Sequence, residues 1–207
     1  AGGWSVELNT ETLPRVLVNT QYYAEVSKHA SSRKDKTFIA ERLSSANWLV
    51  KSLEQRATTI LKVSTELVRQ QDAFFAKGVA HLRPLTLRDI ATAIEMHEST
   101  VSRVTANKYM ATPRGIYQMK YFFTAAIASA TTGAASLSAE SVRHRIKELV
   151  DQEDASNILS DDKIVEMLRG EEIDIARRTV AKYRGSMRIP SSVDRRRRRK
   201  AAAWTNG

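Results

Sequence analysis

The 207-residue chain contains no cysteine. That removes disulfides, zinc–thiolate sites and thiol nucleophiles together, and it is compatible with a reducing cytoplasm. Aromatic residues make up only 7%, so any cores are small and mostly aliphatic. Eight glycines and four prolines punctuate the chain sparsely, and no glycine cluster has the form of a phosphate-binding loop. No apolar run approaches the ~20 residues that a membrane-crossing helix needs. The opening Ala1-Gly2-Gly3-Trp4 has no signal-peptide character. His29, His81, His97 and His144 are scattered without metal-ligand spacing. No carboxylate pair sits in an apolar stretch, and no nucleophile–base pair is suggested. These absences point away from an enzyme, a metal or a cofactor.

What the chain does have is positive charge in one place. Its formal net charge is +10. Arg177, Arg178, Lys182, Arg184 and Arg188, then Arg195 to Lys200, face a single acid, Asp194, and account for all of it. The stretch from Ser138 to Ile175 is net acidic. A neutral to acidic scaffold carrying one basic helix and tail fits an anionic partner surface, nucleic acid first and anionic membrane second.

Hydrophobic residues make up 42% of the chain, enough for one or two domains with real cores. Trp4 to Leu8 alternates as a short strand would, and Pro14 to Val18 could extend another. This opening is too short for a domain and reads as the tail of one lying upstream, which makes the chain a fragment. From Thr37 to Lys77, apolar or small residues recur at steps of four and three: Ile39, Leu43, Ala46, Val50, Leu53, Ala57, Ile60, Ser64, Leu67, Gln71 and Phe74. The spacing predicts one continuous helix about 60 Å long at 1.5 Å per residue. A coiled-coil seam is the alternative. The small and polar seam residues Ala46, Ala57, Ser64 and Gln71 suit packing within the same chain instead.

Pro84 to Lys108 has helix–turn–helix grammar. Thr86 caps Leu87 to Ile94, Glu95-Met96-His97 turns, and Glu98 to Lys108 forms a second helix. Ile90, Ala91, Ile94, Met96, Val101 and Val104 occupy its buried positions. Glu95 stands where many such turns have glycine. Glu98, Ser99, Thr100, Ser102, Arg103 and Lys108 form the exposed face, with chemistry suited to bases and phosphates. Thr112-Pro113-Arg114-Gly115 breaks the chain. Ile116 to Ile127 is expected to be an aromatic-rich helix whose rings pack in a core, and Ala128 to Ser138 is the best linker. Ser138 to Asp154 is amphipathic through Val142, Ile146, Leu149 and Val150.

Ser160 then caps a short helix with Asp161 and Asp162 in its first turn, and Gly170 is expected to end it. A second helix carries Ala176, Val180, Tyr183 and Met187 as its apolar stripe. Arg177, Arg178, Thr179, Lys182 and Arg184 lie largely outside that stripe. This is a second helix–turn–helix, its second helix suited to a major groove. The run Arg195, Arg196, Arg197, Arg198, Arg199 and Lys200 is expected to be disordered without a polyanion and to contact phosphates non-specifically.

The string Ala176-Arg177-Arg178-Thr179-Val180-Ala181-Lys182-Tyr183-Arg184 resembles the signature box of the enhancer-dependent, nitrogen-type bacterial sigma factors, the RpoN family. Trp48 to Arg56 is similar to that family's extra-long helix. Met96 to Thr105 is similar to its helix-turn-helix region, and Asn107 to Gly115 to the segment directly after that region. The resemblance spans about Trp4 to Pro190. It implies double-stranded promoter DNA as partner, with core RNA polymerase and an ATP-driven activator engaged by the full-length protein, in the bacterial cytoplasm. It implies that Arg103 belongs to the downstream GC element and that Arg178, with Arg177 and Arg184, belongs to the upstream GG element. Trp48, Lys51 and Arg56 match positions near the melting junction.

The expected architecture is all-α. Residues 1–30 would be the remnant of a core-binding domain and 31–127 the long helix with the first helix-turn-helix. Residues 128–137 would be a flexible linker, 138–190 a three-helix domain with the second helix-turn-helix, and 191–207 a basic tail. The free chain would be a monomer without membrane contact. Two rival readings are a dimeric repressor, and a helical scaffold dimerised by the long helix.

Overall fold

The computed structural model describes residues 3–127, 137–154 and 157–205, with the side chains of 202–205 excepted. The chain divides into two compact units, Ala1–Glu66 and Leu67–Gly207. It is mostly helical, with two antiparallel strand pairs that an all-α expectation did not contain.

In the first unit the expected strands at Trp4–Leu8 and Pro14–Val18 are absent; the described residues before Thr20 form turns and extended chain. A two-residue alternation with no third strand or core face to cover it does not hold a sheet. Helix α1 (Thr20–His29) follows, its N-cap Asn19 accepting a hydrogen bond from the Tyr22 N–H. Helix α2 spans Arg33–Gln70. It starts four residues earlier than the apolar stripe predicts, because Ser32 and Asp35 form a reciprocal cap. The Asp35 N–H donates to Ser32 Oγ at 3.1 Å, and the Ser32 N–H donates to Asp35 Oδ2 at 3.3 Å. Its stripe is half-buried from Ile39 to Ala57 and buried at Ile60, Val63 and Ser64.

The expected single helix to Lys77 is interrupted at Gln71. That residue is fully buried, and a buried amide must find partners. It finds them in the main chain of Arg83: Gln71 Nε2 donates to the Arg83 carbonyl at 2.8 Å and Oε1 accepts the Arg83 N–H at 3.0 Å. The helix is interrupted there for one residue and resumes as α3 (Asp72–Lys77).

In the second unit a 3-10 turn at Val79–His81 precedes α4 (Leu87–Ala93) and α5 (Glu98–Thr105). Thr86 and Asp89 form a full capping box at the start of α4. Helix α4 stops in a Schellman arrangement: the Met96 N–H donates to the Ala91 carbonyl at 2.9 Å and the Glu95 N–H to the Thr92 carbonyl at 3.3 Å. Glu95 occupies the left-handed position with φ 56°, which explains why similar turns favour glycine there. A side chain in that conformation costs ~1–2 kcal/mol. Glu95→Gly is therefore expected to raise stability by about 1 kcal/mol after the entropy of the unfolded glycine is deducted. An unchanged or lower denaturation midpoint would show that the Glu95 side chain compensates for its backbone.

The predicted helix at Ile116–Ile127 is instead a hairpin. Strands β1 (Tyr109–Thr112) and β2 (Gly115–Gln118) pair antiparallel, Thr112 opposite Gly115. Pro113-Arg114 forms the loop, and Gly115 takes φ 119°, closed to a side chain. A 3-10 turn, Met119–Phe122, follows. The expectation of a ring core holds: Phe74 meets Phe75, Tyr117 and Phe122 edge-on at 5.2–5.3 Å. Arg114 ties the hairpin to the end of α3, donating to the carbonyls of Phe75 at 2.9 Å and Ala76 at 2.5 Å.

Residues 128–136 of the expected linker lie outside the described residues. Its flanks are joined: β3 (Ala126–Ile127) pairs with β4 (Leu137–Ser138). Helix α6 (Ala139–Asp151), capped by Ser138, packs against the 3-10 turn Val79–His81. Tyr121 lies beside Glu140 of this helix, and burial first, then Glu140 and Tyr117, pushes its hydroxyl up to about 12.

Helices α7 (Asp161–Gly170) and α8 (Arg177–Ser186) complete the C-terminal core with α6. Val142, Ile146, Leu149, Ile164, Leu168, Ile173 and Val180 fill it. Ser160 caps α7 as expected, accepting from the Lys163 N–H. Gly170 does not supply the stop; Glu172 does, at φ 64°, with the Ile173 N–H on the Leu168 carbonyl at 2.9 Å. The expected disordered tail is corrected as well: Ser192–Thr205 forms helix α9.

Candidate nucleic-acid interface

Both second helices start without a covering element over their polar faces. Helix α5 is capped by an unexpected group: His97 Nδ1 accepts from the Ser99 N–H at 3.2 Å and lies 2.8 Å from Ser99 Oγ. Sequence reasoning placed His97 only in the turn. Val101 and Thr105 point into the core. On the other side Glu98, Ser99, Ser102 and Arg103 are exposed, while Thr100 is half-buried. Lys108 is half-buried beyond the helix end, after Asn107 in the left-handed conformation at φ 51°. Its carbonyl accepts the Met119 N–H at 2.8 Å, which fixes where the hairpin leaves α5.

Helix α8 is held by Val180, which is fully buried, and by Tyr183, whose ring lies under the Arg143 guanidinium at 4.8 Å. Its N-cap Ala176 has no side-chain acceptor to offer the first-turn N–H groups. Arg178 and Lys182, one turn apart, are both exposed, and Thr179 beside Arg178 is half-buried. Arg177 makes an open ion pair with Asp162 at 3.3 Å, the side chains 68% and 64% exposed. Such a pair is worth at most ~1 kcal/mol and yields readily to a phosphate.

Arg184, expected among the groups facing DNA, is turned inward. Its guanidinium grips Asp161 at 2.8 and 3.1 Å and the Ile189 carbonyl at 2.8 Å, with its side chain 12% exposed. It thereby clamps the end of α8 to the start of α7. Arg195 is likewise buried, against Glu153, whereas Arg196, Arg197, Arg198 and Lys200 are exposed and Arg199 is half-buried. Trp48, 70% exposed, Lys51 and Arg56 are exposed on α2, in the first unit. In the second unit the candidate faces are thus those of α5 and α8, the first set by capping and the second by clamping.

Among the described residues no cluster of His, Asp and Glu could hold a metal ion, and no helix is long and apolar enough to cross a membrane.

Residues 36–197 match the family described as "Sigma-54, DNA binding domain". The chain is similar to RNA polymerase sigma-54 factor 2 of Bradyrhizobium diazoefficiens, 66% identical over 97% of this chain and 37% of the relative. It is also similar to RNA polymerase sigma-54 factor of Caulobacter vibrioides, 64% identical over 97% of this chain and 40% of the relative. It therefore spans about two fifths of these relatives' length. Among solved structures it is similar to Aquifex aeolicus sigmaN bound to promoter DNA, with a TM-score of 0.57 and 34% identity, covering 92% of this chain and 55% of that one.

Proposed function

The chain belongs to the sigma-54 family of RNA polymerase factors, and from that premise we propose that it is the promoter-recognising part of such a factor. The observation that carries the reading is the pair of exposed arginine-bearing helices, α5 with Arg103 and α8 with Arg178. Each follows a helix that stops in the same Schellman turn, within one segment that matches the DNA-binding family. We read α4–α5 and α7–α8 as two helix-turn-helix units. Helix α5 reads the downstream GC element through Arg103, with Glu98, Ser99, Thr100, Ser102 and Lys108 around it. Helix α8 reads the upstream GG element through Arg178, helped by Arg177, Thr179 and Lys182. Arginine suits this task because its planar fork meets guanine O6 and N7 together. Arg184 acts as the support of that reader.

On this reading Trp48, Lys51 and Arg56 lie near the point where the strands separate. Residues 1–30 belong to a core-binding domain, and 128–137 connect the two readers. Core polymerase and an ATP-driven activator engage the whole protein in the bacterial cytoplasm. The chain's role is binding and not catalysis.

A protection footprint on a duplex carrying both elements tests this directly: two protected patches are expected, one over each element. Arg178→Ala is expected to lower affinity by about 1–3 kcal/mol at one guanine of the upstream element, the range of a bidentate arginine contact. Equal losses on every guanine substitution and on random duplex would make Arg178 a phosphate contact only.

A further inference from the structure

The arginine run divides by face. Arg195 and Arg199, one turn apart on α9, point inward. The Arg195 guanidinium donates to Glu153 Oε1 and Oε2, both at 2.9 Å, to the Leu159 carbonyl at 2.8 Å and to the Pro190 carbonyl at 2.7 Å. Arg199 reaches the same carboxylate at 3.4 Å. The Glu153 side chain is 1% exposed, against 9% for Arg195. Glu153 also accepts the Leu159 N–H at 3.1 Å. Burial by itself would raise the Glu153 carboxyl, but the Arg195 hydrogen bonds, the Leu159 N–H and the two guanidinium charges outweigh it. The group is held below the usual carboxylate range and stays ionised.

The start of α9 is closed independently. The Asp194 N–H donates to Ser191 Oγ at 3.2 Å and the Ser191 hydroxyl donates to Asp194 Oδ2 at 2.6 Å. A run of six adjacent cations repels itself and would not stay helical on its own charges. Two of them share one buried anion, which offsets one of their charges from within. At 100° per residue, inward Arg195 and Arg199 leave Arg196, Lys200 and Arg197 together on one contiguous outer arc, with Arg198 alone on the opposite flank, all four exposed.

We propose that buried Glu153 is a positioning residue that turns the arginine run into a fixed phosphodiester-binding helix, presenting Arg196, Arg197 and Lys200 to the DNA backbone flanking the element read by α8. The proposal rests on the promoter-binding reading of α8. A loose basic tail would contact phosphates anywhere along the duplex and would lose its freedom on doing so. A docked helix contacts them at set positions and has already been ordered.

The test compares two duplexes, one ending at the upstream element and one extended by a helical turn beyond it on the outer side, across a salt series. The slope of log affinity against log salt is expected to be steeper on the extended duplex by about 2–3, near 0.9 per phosphate neutralised by three cations. The triple variant Arg196→Gln, Arg197→Gln, Lys200→Gln is expected to abolish that increment and leave sequence preference unchanged. Glu153→Gln is expected to abolish it too, although every outer cation remains, with faster amide exchange confined to residues 192–200. The exchanged pair, Glu153→Arg with Arg195→Glu, restores it. A full increment in the triple variant would show that α9 touches no phosphate. A full increment in Glu153→Gln with α9 amides unprotected would show that a loose tail suffices. Either result overturns the proposal. If the unaltered chain did not distinguish the element from random duplex, the underlying promoter reading would fail instead, and that is seen before any variant is made.

Discussion

A five-base-pair insertion between the two promoter elements is expected to lower affinity at least ~10²-fold, most of what joint binding adds over one reader alone. The reason is the strand pairing that brackets the connection between the readers. Ala126 lies opposite Ser138 and Ile127 opposite Leu137, so the two ends of the intervening segment are held side by side. The Ala139 N–H adds a bond to the Ala125 carbonyl at 3.2 Å. Half a turn of added duplex swings one element to the far side of the DNA. To follow it, the chain must break this pairing and the packing of α6 on the 3-10 turn at Val79–His81. One added base pair demands far less and is expected to cost much less. A gel-shift series of insert lengths at fixed salt measures this. A smooth decline with length, without a penalty particular to the half turn, would mean that α5 and α8 bind independently.

Phe74→Ala is expected to destabilise the second unit by about 3–5 kcal/mol, the range for truncating a fully buried aromatic ring. Phe74 is fully buried and has edge-on contacts to Phe75, Tyr117 and Phe122, with Tyr121 tilted at 6.3 Å. Removing it leaves four rings without their common neighbour, and rigid rings collapse poorly into the gap. Tyr109→Ala, at a residue 69% exposed on the hairpin, serves as the control and is expected to stay within ~0.5 kcal/mol. Denaturant unfolding of the two variants decides it. Equal midpoints would mean that the ring cluster is not the core it looks like.

What could be read ahead of the structure was local, and what could not was distant. Thr86 and Ser160 act as N-caps where the pattern puts them, because a cap needs only partners three residues away. The stripe Val142, Ile146, Leu149 and Val150 is buried for the same reason: helical spacing alone assembles it. Arg184 could not be read, since its exposed-looking place on α8 is overruled by Asp161, 23 positions earlier. Arg195 looked like one charge in a solvated run, and its partner Glu153 lies 42 positions away. The hairpin failed differently. Tyr117 and Tyr121 have helical spacing, but Pro113-Arg114-Gly115 between Thr112 and Ile116 was the stronger signal, a turn between β-favouring residues. The faces of α5 and α8 were legible as residue types; their mounting through His97, Arg143 and Arg184 was not.

The helix break at Gln71 has a consequence for how the molecule comes together. The bonds that stop α2 belong to Arg83, twelve positions further along. The apolar pattern of segment 33–77 itself runs on to Lys77. Before Arg83 is in place, any helix that this segment forms is expected to run without that interruption. It acquires its break only once Arg83 docks on Gln71. The length of α2 is thus a property of the folded unit and not of the helix itself. A peptide of residues 33–77 alone is expected to stay helical through position 71, where the protein's helix is interrupted.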